Sequence, residues 1–404
     1  MRDIYERIDG SIAAPRGFRA SGVACGIKAN RTPDLAVIAC DVPASAAAVF
    51  TTNLAQAAPV LVSREHVKRS AGRIAAIVVN SGCANACTGP DGMQHAHAMC
   101  DLTAEALGLA PSAVLVASTG VIGVKLPMGN VARGIDEAVR SLSPDGGLSA
   151  ARAIMTTDPF PKEAAFEIHS DAGTFRVGGI AKGSGMIEPR MATMLAFVTL
   201  DAVVTPELLQ RALKAACDDT FNAITVDGEP STNDCVFALA SGASGVTVTE
   251  ADRPFLIDAL RQVCEPLAIG IVRGGEGATK LITVRVVGAA SDQEARGTAR
   301  AIANSPLVKT AIHGGDPNWG RLVAVMGRSG SAFNLERAAV RVGPVELFRD
   351  GRPFDERAPE AADYLTRQEI DVEVDLGTGG SGKSLMWTCD LSAEYVRINA
   401  EYRT

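Results

Sequence analysis

Residues 182–195 are the feature that most limits how this chain can fold, because they change from loop to core strand within a few positions. Two glycines near the start allow tight turns, and Pro189 fixes φ and removes a backbone donor. The run 194–200 that follows is apolar, which predicts a buried β-strand. One hydroxyl, that of Thr193, is therefore placed where a glycine-rich loop enters the core.

A threonine at such a junction supports two interpretations. Its hydroxyl can bond to its own backbone, which is the common role of a lone threonine. If the Ala192–Thr193 bond were cut, Thr193 would instead carry a nucleophile and a base on one residue. Its Oγ1 would attack, and its new α-amine, with a pKa of about 8, would accept the proton at neutral pH. Local chemistry alone favours the first interpretation.

The same segment resembles the self-cleavage site of the ornithine acetyltransferase (bifunctional glutamate N-acetyltransferase) family of arginine biosynthesis. That family shares a Lys-Gly-x-Gly-Met-Ile-x-Pro-x-Met-Ala-Thr-Met-Leu signature, which residues 182–195 match. Six further blocks resemble the family, in order along the chain: 80–89, 118–123, 155–162, 225–235, 315–321 and 395–404. Chance is a poor explanation for matches over so much of the chain.

The resemblance implies an enzyme that moves an acetyl group from N2-acetyl-L-ornithine to L-glutamate through an acetyl-Thr193 intermediate. It also implies self-cleavage between Ala192 and Thr193, giving an α chain (1–192) and a β chain (193–404) that associate as α2β2. Some family members also make N-acetylglutamate from acetyl-CoA, and no residue here decides that point. No cofactor is implied, since acetyl-CoA would be a substrate.

Individual site residues follow from the same resemblance. Thr119 and Gly120, here termed the oxyanion pair, match the family's oxyanion-stabilising positions, although turn chemistry at a strand end also accounts for them. The positions that match substrate-binding residues are Thr156, Lys182, Thr193, Glu276, Asn399 and Thr404. A donor with a carboxylate and a cationic amine needs one group of each sign, which Lys182 and Glu276 supply. Which of them contacts which group stays open.

Another motif suggests different chemistry. Residues 377–384 match the phosphate-binding loop of nucleotide hydrolases, with Lys383 on phosphate oxygens and Ser384 on Mg²⁺. Yet 370–376 alternates with carboxylates, whereas the strand before such a loop should be apolar on both faces. An extended segment, 385–390, follows where a helix is needed. We therefore predict a glycine-rich hairpin turn and rank a nucleotide-binding protein below the transferase.

Two more alternatives make distinct demands on the sequence. A self-processing aminopeptidase or amidase of the same fold would use Ser at position 193 and lack the blocks at 225–235 and 395–404. A zinc site would need four converging ligands. The candidates are Cys83, Cys87, His95 and His97. Two histidines two positions apart on a helix do not face the same way, so no metal is predicted.

Composition narrows the class of protein. With 47% apolar and 21% charged residues the chain is globular, and a net charge of −7 argues against a nucleic-acid partner. No apolar run reaches the ~20 residues of a membrane span. The charged N-terminus lacks the apolar region of a signal peptide, and nine scattered cysteines fit a reducing cytoplasm.

A chain of 404 residues exceeds one ordinary core. Apolar spacing predicts strands at 35–42, 73–79 and 395–399 and helices at 92–107, 128–141 and 205–217. Strands and helices mix without regular βαβ units, which indicates an α+β fold. The resemblance implies a two-sheet sandwich flanked by helices, of the self-processing N-terminal-nucleophile type. We place this catalytic αββα core at 1–280 and a smaller α+β domain at 281–404.

Overall fold

The computed structural model describes residues 4–188 and 194–401, so Ala192, Thr193 and Thr404 lie outside the described residues. The chain forms two compact units. The first comprises residues up to Asn222 together with Glu229–Ile271, and the second comprises Ala223–Gly228 together with residues from Val272 onward. The boundary after residue 280, as a statement about separately folding domains, stays a prediction.

Over its described residues, the first unit contains a nine-stranded sheet and six α-helices. Its strands are β1 (Tyr5–Arg7), β2 (Phe18–Val23), β3 (Leu35–Phe50), β4 (Arg73–Cys83), β5 (Val114–Val121), β6 (Lys162–Ser170), β7 (Gly173–Lys182), β8 (Leu195–Leu200) and β9 (Cys235–Ala240). Its helices are α1 (Ala58–Arg69), α2 (Gly89–Leu107), α3 (Met128–Arg140), α4 (Gly147–Ala153), α5 (Pro206–Asp219) and α6 (Arg253–Arg273). The strand order is β1-β6-β7-β8-β9-β3-β4-β5, with β2 paired to β3.

Strand β3 joins two halves of this sheet. It is 16 residues long, its pairing with β4 shifts register between Ala39 and Ala44, and its second half pairs with β9. A single core contains side chains from β4 and β5 and from β8 and β9, such as Ile77 and Phe197. The predicted mixed α+β fold with two sheets and flanking helices is confirmed. However, the two halves that face this core form one hydrogen-bonded sheet, because β3 is long enough to serve both.

Local sequence signals explain several of these elements. Thr205 caps α5 by accepting a hydrogen bond from the Leu208 N–H at 3.3 Å, and Pro206 occupies the first turn, as predicted. All six residues of β8 are buried, so the predicted core strand after residue 193 is confirmed. Among the described residues, no helix is long and apolar enough to cross a membrane.

The second unit has its own six-stranded sheet and core. Its strands are β10 (Leu281–Ala289), β11 (Ala339–Val342), β12 (Val345–Arg349), β13 (Arg352–Pro353), β14 (Glu369–Asp375) and β15 (Gly382–Cys389). Its helices are α7 (Asp292–Ala303), α8 (Pro306–His313), α9 (Trp319–Arg328), α10 (Ala358–Tyr364) and α11 (Ala393–Glu401). The strand order is β13-β12-β11-β14-β10-β15.

Two sequence predictions are wrong in this unit. The glycine-rich segment 377–384 is not a hairpin turn, because β10 lies between β14 and β15 and pairs with both. Residues 395–399 form part of α11 and not a strand. Ion pairs from Arg397 to Glu394 and Glu401 support this helix, which has no buried residue. A five-residue apolar alternation is too short to distinguish strand from helix.

Candidate active site

The oxyanion pair lies at the end of β5. Strands β4 and β5 run parallel, and Gly82 stands opposite Gly120. Gly120 has φ +127°, and a Cβ there would lie 2.4 Å from the Gly82 carbonyl carbon. Only glycine fits such a backbone conformation and so close an approach. The strand end is therefore shaped by tight backbone packing at the position that was matched to an oxyanion donor.

Replacing Gly120 with alanine should therefore distort this strand end. We expect the free energy of unfolding to fall by about 1–3 kcal/mol more than for Gly123→Ala, because the new methyl group overlaps the β4 backbone. Gly123 also has positive φ, but a Cβ there meets nothing within 4 Å, so it isolates the conformational cost. Denaturant unfolding of both variants measures the difference, and equal losses would contradict this account.

Lys182 reaches the oxyanion pair from β7. Lys182 is 8% exposed. Its Nζ donates to the hydroxyl oxygen of Thr119, 63 positions away in sequence, at 3.2 Å. Lys182 also pairs in register with Leu195, the first residue of β8. The structure thus brings together one residue matched to substrate binding and one matched to oxyanion stabilisation. It places Lys182 beside the strand that begins two residues after Thr193.

Asp158 organises this region, although no sequence motif marked it as a site residue. Its buried carboxylate accepts hydrogen bonds from Lys162 Nζ (2.6 Å), the Gly183 N–H (2.7 Å) and the Thr156 N–H (3.0 Å). Burial raises the pKa of this carboxyl, but the positive charges of Lys182 and Lys162 outweigh burial and bring the pKa to about 2. A permanent negative charge thus holds Thr156 and the start of the glycine-rich loop.

Lys28 is a second residue that sequence reasoning missed. Its Nζ donates to the carbonyl oxygens of Met155 (2.6 Å) and Pro33 (2.8 Å), which places it next to Thr156. Burial lowers the pKa of this ammonium; Asp34 opposes the shift and the charge of Lys182 adds to it. Asp34 itself accepts four backbone N–H groups from 25–28. The surplus of lysines near Asp158 suits a carboxylate ligand.

The second unit holds two more of the predicted substrate-binding residues. Glu276 is 5% exposed, and its Oε2 accepts a hydrogen bond from Asn399 Nδ2 at 2.8 Å. The loop around Glu276 is tied to the end of β15, because Ser392 Oγ donates to the Gly277 carbonyl at 2.6 Å. The Asp390 carboxylate accepts the backbone N–H groups that follow in the same loop. Glu276 is thus a buried carboxylate on a well-anchored loop.

The segment 377–384 is built for close packing rather than for phosphate. The Lys383 N–H donates to the Asp292 carboxylate at 2.9 Å, and the Gly377 N–H donates to the Asp375 carboxylate at 2.8 Å. A Cβ on Gly380 would lie 2.1 Å from a carbonyl oxygen of β10. Carboxylates already occupy N–H groups that a phosphate would need, so the nucleotide-binding interpretation finds no support here.

Two of the four residues considered for zinc, Cys83 and His97, have other contacts. Cys83 Sγ donates to a loop carbonyl, burial raises the pKa of that thiol, and the ring of His97 lies 6.0 Å from that of His66. Within the described part of the chain, the one set of three side chains spaced for a metal lies elsewhere: Glu6, Glu167 and His169. Glu167 already pairs there with an arginine. The absence of a metal requirement stays a prediction.

Comparisons with known proteins give one consistent result. A model of the ArgJ family matches residues 19–404. An arginine biosynthesis bifunctional protein ArgJ from Thermosynechococcus vestitus is 48% identical over 99% of this chain and 99% of its own length. A protein of the same name from a Synechococcus species is 49% identical over 100% of both. The solved structure of an ornithine acetyltransferase complexed with ornithine, from Mycobacterium tuberculosis, is 42% identical and covers 46% of this chain and 100% of its own, with a TM-score of 0.44.

Proposed function

This chain belongs to the ArgJ family, and we propose that it transfers the acetyl group of N2-acetyl-L-ornithine to L-glutamate through an ester on Thr193. The observation that carries the proposal is the 3.2 Å contact between Lys182 Nζ and Thr119 Oγ1. That contact joins the predicted substrate site to the oxyanion pair beside β8. Lys182 pairs with Leu195, which is two residues after Thr193 in sequence.

The proposed transfer has two halves. Thr193 Oγ1 attacks the acetyl carbonyl carbon while the Thr193 α-amine takes its proton. The resulting oxyanion is stabilised by the Thr119 hydroxyl and the Gly120 N–H, the C–N bond breaks, and ornithine leaves with the proton. The glutamate amine then attacks the ester carbonyl and the bond to Thr193 Oγ1 breaks. The proton lost by the amine passes to Oγ1, which restores the threonine hydroxyl. Acetylglutamate is the product.

We propose that the same groups mature the protein. Thr193 Oγ1 attacks the Ala192 carbonyl, the Ala192–Thr193 C–N bond breaks, and the Oγ1 proton ends on the freed α-amine. Water then hydrolyses the ester to give chains 1–192 and 193–404. The two chains stay together because β7, from the first, pairs along six residues with β8, from the second, and β8 is entirely buried. Association of two such pairs as α2β2 is part of the proposal, and the mass of the cleaved protein in solution tests it.

The side-chain amine of acetylornithine is a cation, and a buried carboxylate is the group that suits it. We infer that Glu276 binds this amine. Glu276→Gln should raise KM for acetylornithine by about 10- to 100-fold, because a charged hydrogen bond is replaced by a neutral one. Steady-state kinetics with Glu394→Gln as the control, an exposed glutamate on α11, measures the effect. An unchanged KM in Glu276→Gln would remove this role.

The function itself is tested by supplying the purified protein with N2-acetylornithine and glutamate. Formation of acetylglutamate and ornithine in equal amounts is expected. Release of acetate without any dependence on glutamate would instead indicate an amidase of the same fold. Acetyl-CoA with glutamate is the third reaction to measure, since the relatives are named as bifunctional proteins. Product there would add a second acetyl donor.

A further inference from the structure

Asn233 links two backbone segments on which the oxyanion pair depends. Its side chain is buried, and Nδ2 donates to the carbonyl oxygens of Ala84 at 2.6 Å and Ser118 at 2.9 Å. Its Oδ1 accepts the Thr232 hydroxyl at 2.6 Å. Both donors of one amide are thus used on segments that are 149 and 115 positions away in sequence.

The two carbonyl groups lie on either side of the oxyanion pair. The Ser118 carbonyl belongs to the planar peptide unit that leads directly into the pair, so its bond to Asn233 fixes the orientation of that unit. On the far side, the Ala84 N–H donates to the Val121 carbonyl at 3.0 Å. Asn233 therefore restrains the backbone before the pair directly and the backbone after it through Ala84.

Asn233 is also fixed relative to β8, the strand that begins two residues after the proposed nucleophile. Two positions later, Cys235 pairs in parallel register with Leu195. The Cys235 N–H donates to the carbonyl of Met194, the residue that follows Thr193, at 3.1 Å. The start of β9 thus contacts the residue next to the nucleophile and, through Asn233, the backbone around the oxyanion pair.

We propose that Asn233 is a positioning residue that sets the distance between the oxyanion pair and Thr193, an inference that rests on the proposed acetyl transfer. Oxyanion donors lower the barrier only when they are held within about 0.5 Å of the productive geometry. Lys182 also contacts the pair, but it bonds to the Thr119 hydroxyl and not to the backbone. Losing the Asn233 amide releases the backbone while leaving the nucleophile and the substrate-binding groups in place.

The test is Asn233→Ala, with kcat measured per cleaved chain so that slow maturation is not counted as slow transfer. We expect kcat to fall by about 10- to 100-fold, the cost of misplacing a reacting geometry, with KM unchanged. Ser63→Ala is the matched control. Ser63 is a buried residue of α1. It exchanges two hydrogen bonds, at 2.7 and 2.8 Å, with Val116 of β5, the strand that carries the oxyanion pair. It should lower the melting temperature comparably and leave kcat unchanged.

A double-mutant cycle with Thr119→Ala separates positioning from general stabilisation. If Asn233 acts through the oxyanion pair, the double variant should lose less activity than the product of the single losses. Multiplicative losses, or a kcat equal to that of Ser63→Ala, would overturn the proposal. If Asn233→Ala is insoluble, Asn233→Ser replaces it in the same cycle. A wild-type protein that forms no acetylglutamate would reject the proposed function itself, whereas an active but unaffected Asn233 variant would reject only this inference.

Discussion

Thr193→Ala should leave the protein as one uncut chain of 404 residues that transfers no acetyl group. The substitution removes the only atom proposed to form the ester, so no covalent path remains for maturation or for turnover. Thr119→Ala should be different in kind, because losing one oxyanion donor slows both steps by about 10²–10³-fold without abolishing them. Intact mass spectrometry and the acetylglutamate assay measure the two outcomes.

Thr199→Ala is the control for Thr193→Ala, since Thr199 is a buried threonine of β8, six positions further along the sequence. Its Oγ1 donates to the Ile12 carbonyl at 2.6 Å. Its loss should reduce stability and leave cleavage intact. Complete cleavage of Thr193→Ala, or loss of cleavage in a folded Thr199→Ala, would contradict the assignment of the nucleophile.

Asp158→Asn should lower the free energy of unfolding by about 3–5 kcal/mol, the usual cost of leaving a buried charge without its partner. The side chains of Asp158 and Lys162 are 0% and 2% exposed, and Lys182 is a further charge that Asp158 compensates. Asparagine has nearly the same shape, so the loss reports charge and not packing. Denaturant unfolding at neutral pH is the measurement.

Asp136→Asn provides the comparison, because Asp136 pairs with Arg140 on an exposed helix surface where an ion pair contributes about 0–1 kcal/mol. The two variants should also differ in their response to acid. The pKa of Asp158 is about 2 in the folded protein and about 3.9 in an unfolded chain, so its stabilisation is complete above pH ~4 and is lost as pH falls towards 2. Asp158→Asn should lack that component. Equal losses of unfolding free energy in Asp158→Asn and Asp136→Asn would refute this account of Asp158 and its two lysines.

Local patterns in the sequence predicted several elements of the fold correctly. Helix α5 was predictable because its cap, its first-turn proline and its apolar stripe all lie within one short segment. Strand β3 extends past the predicted 35–42, because a register shift lets the strand continue through an exposed stretch and pair with β9. Helix α11 was missed because it buries no residue, so its apolar spacing reported nothing about a core.

The active site was predictable only where motifs recorded it. The blocks located Thr119 and Lys182, but only the fold shows that these residues touch. Besides near neighbours, Lys28, Asp158 and Asn233 each bond to a partner 127, 25 and 149 positions away, respectively, which no local pattern reports. One usable signal was present, since Asp158 lies inside the matched block 155–162 and Asn233 inside the matched block 225–235. By that signal Asp158 was as strong a site candidate as Thr156, which lies in the same block.

The most direct test of the central claim is the mass of the protein after mixing with N2-acetylornithine in the absence of glutamate. The account predicts two chains, with one acetyl group on the chain that begins at Thr193, and its transfer to glutamate when glutamate is added. A single uncut chain, or a cleaved protein that turns over acetylornithine without ever carrying an acetyl group on that chain, would contradict it.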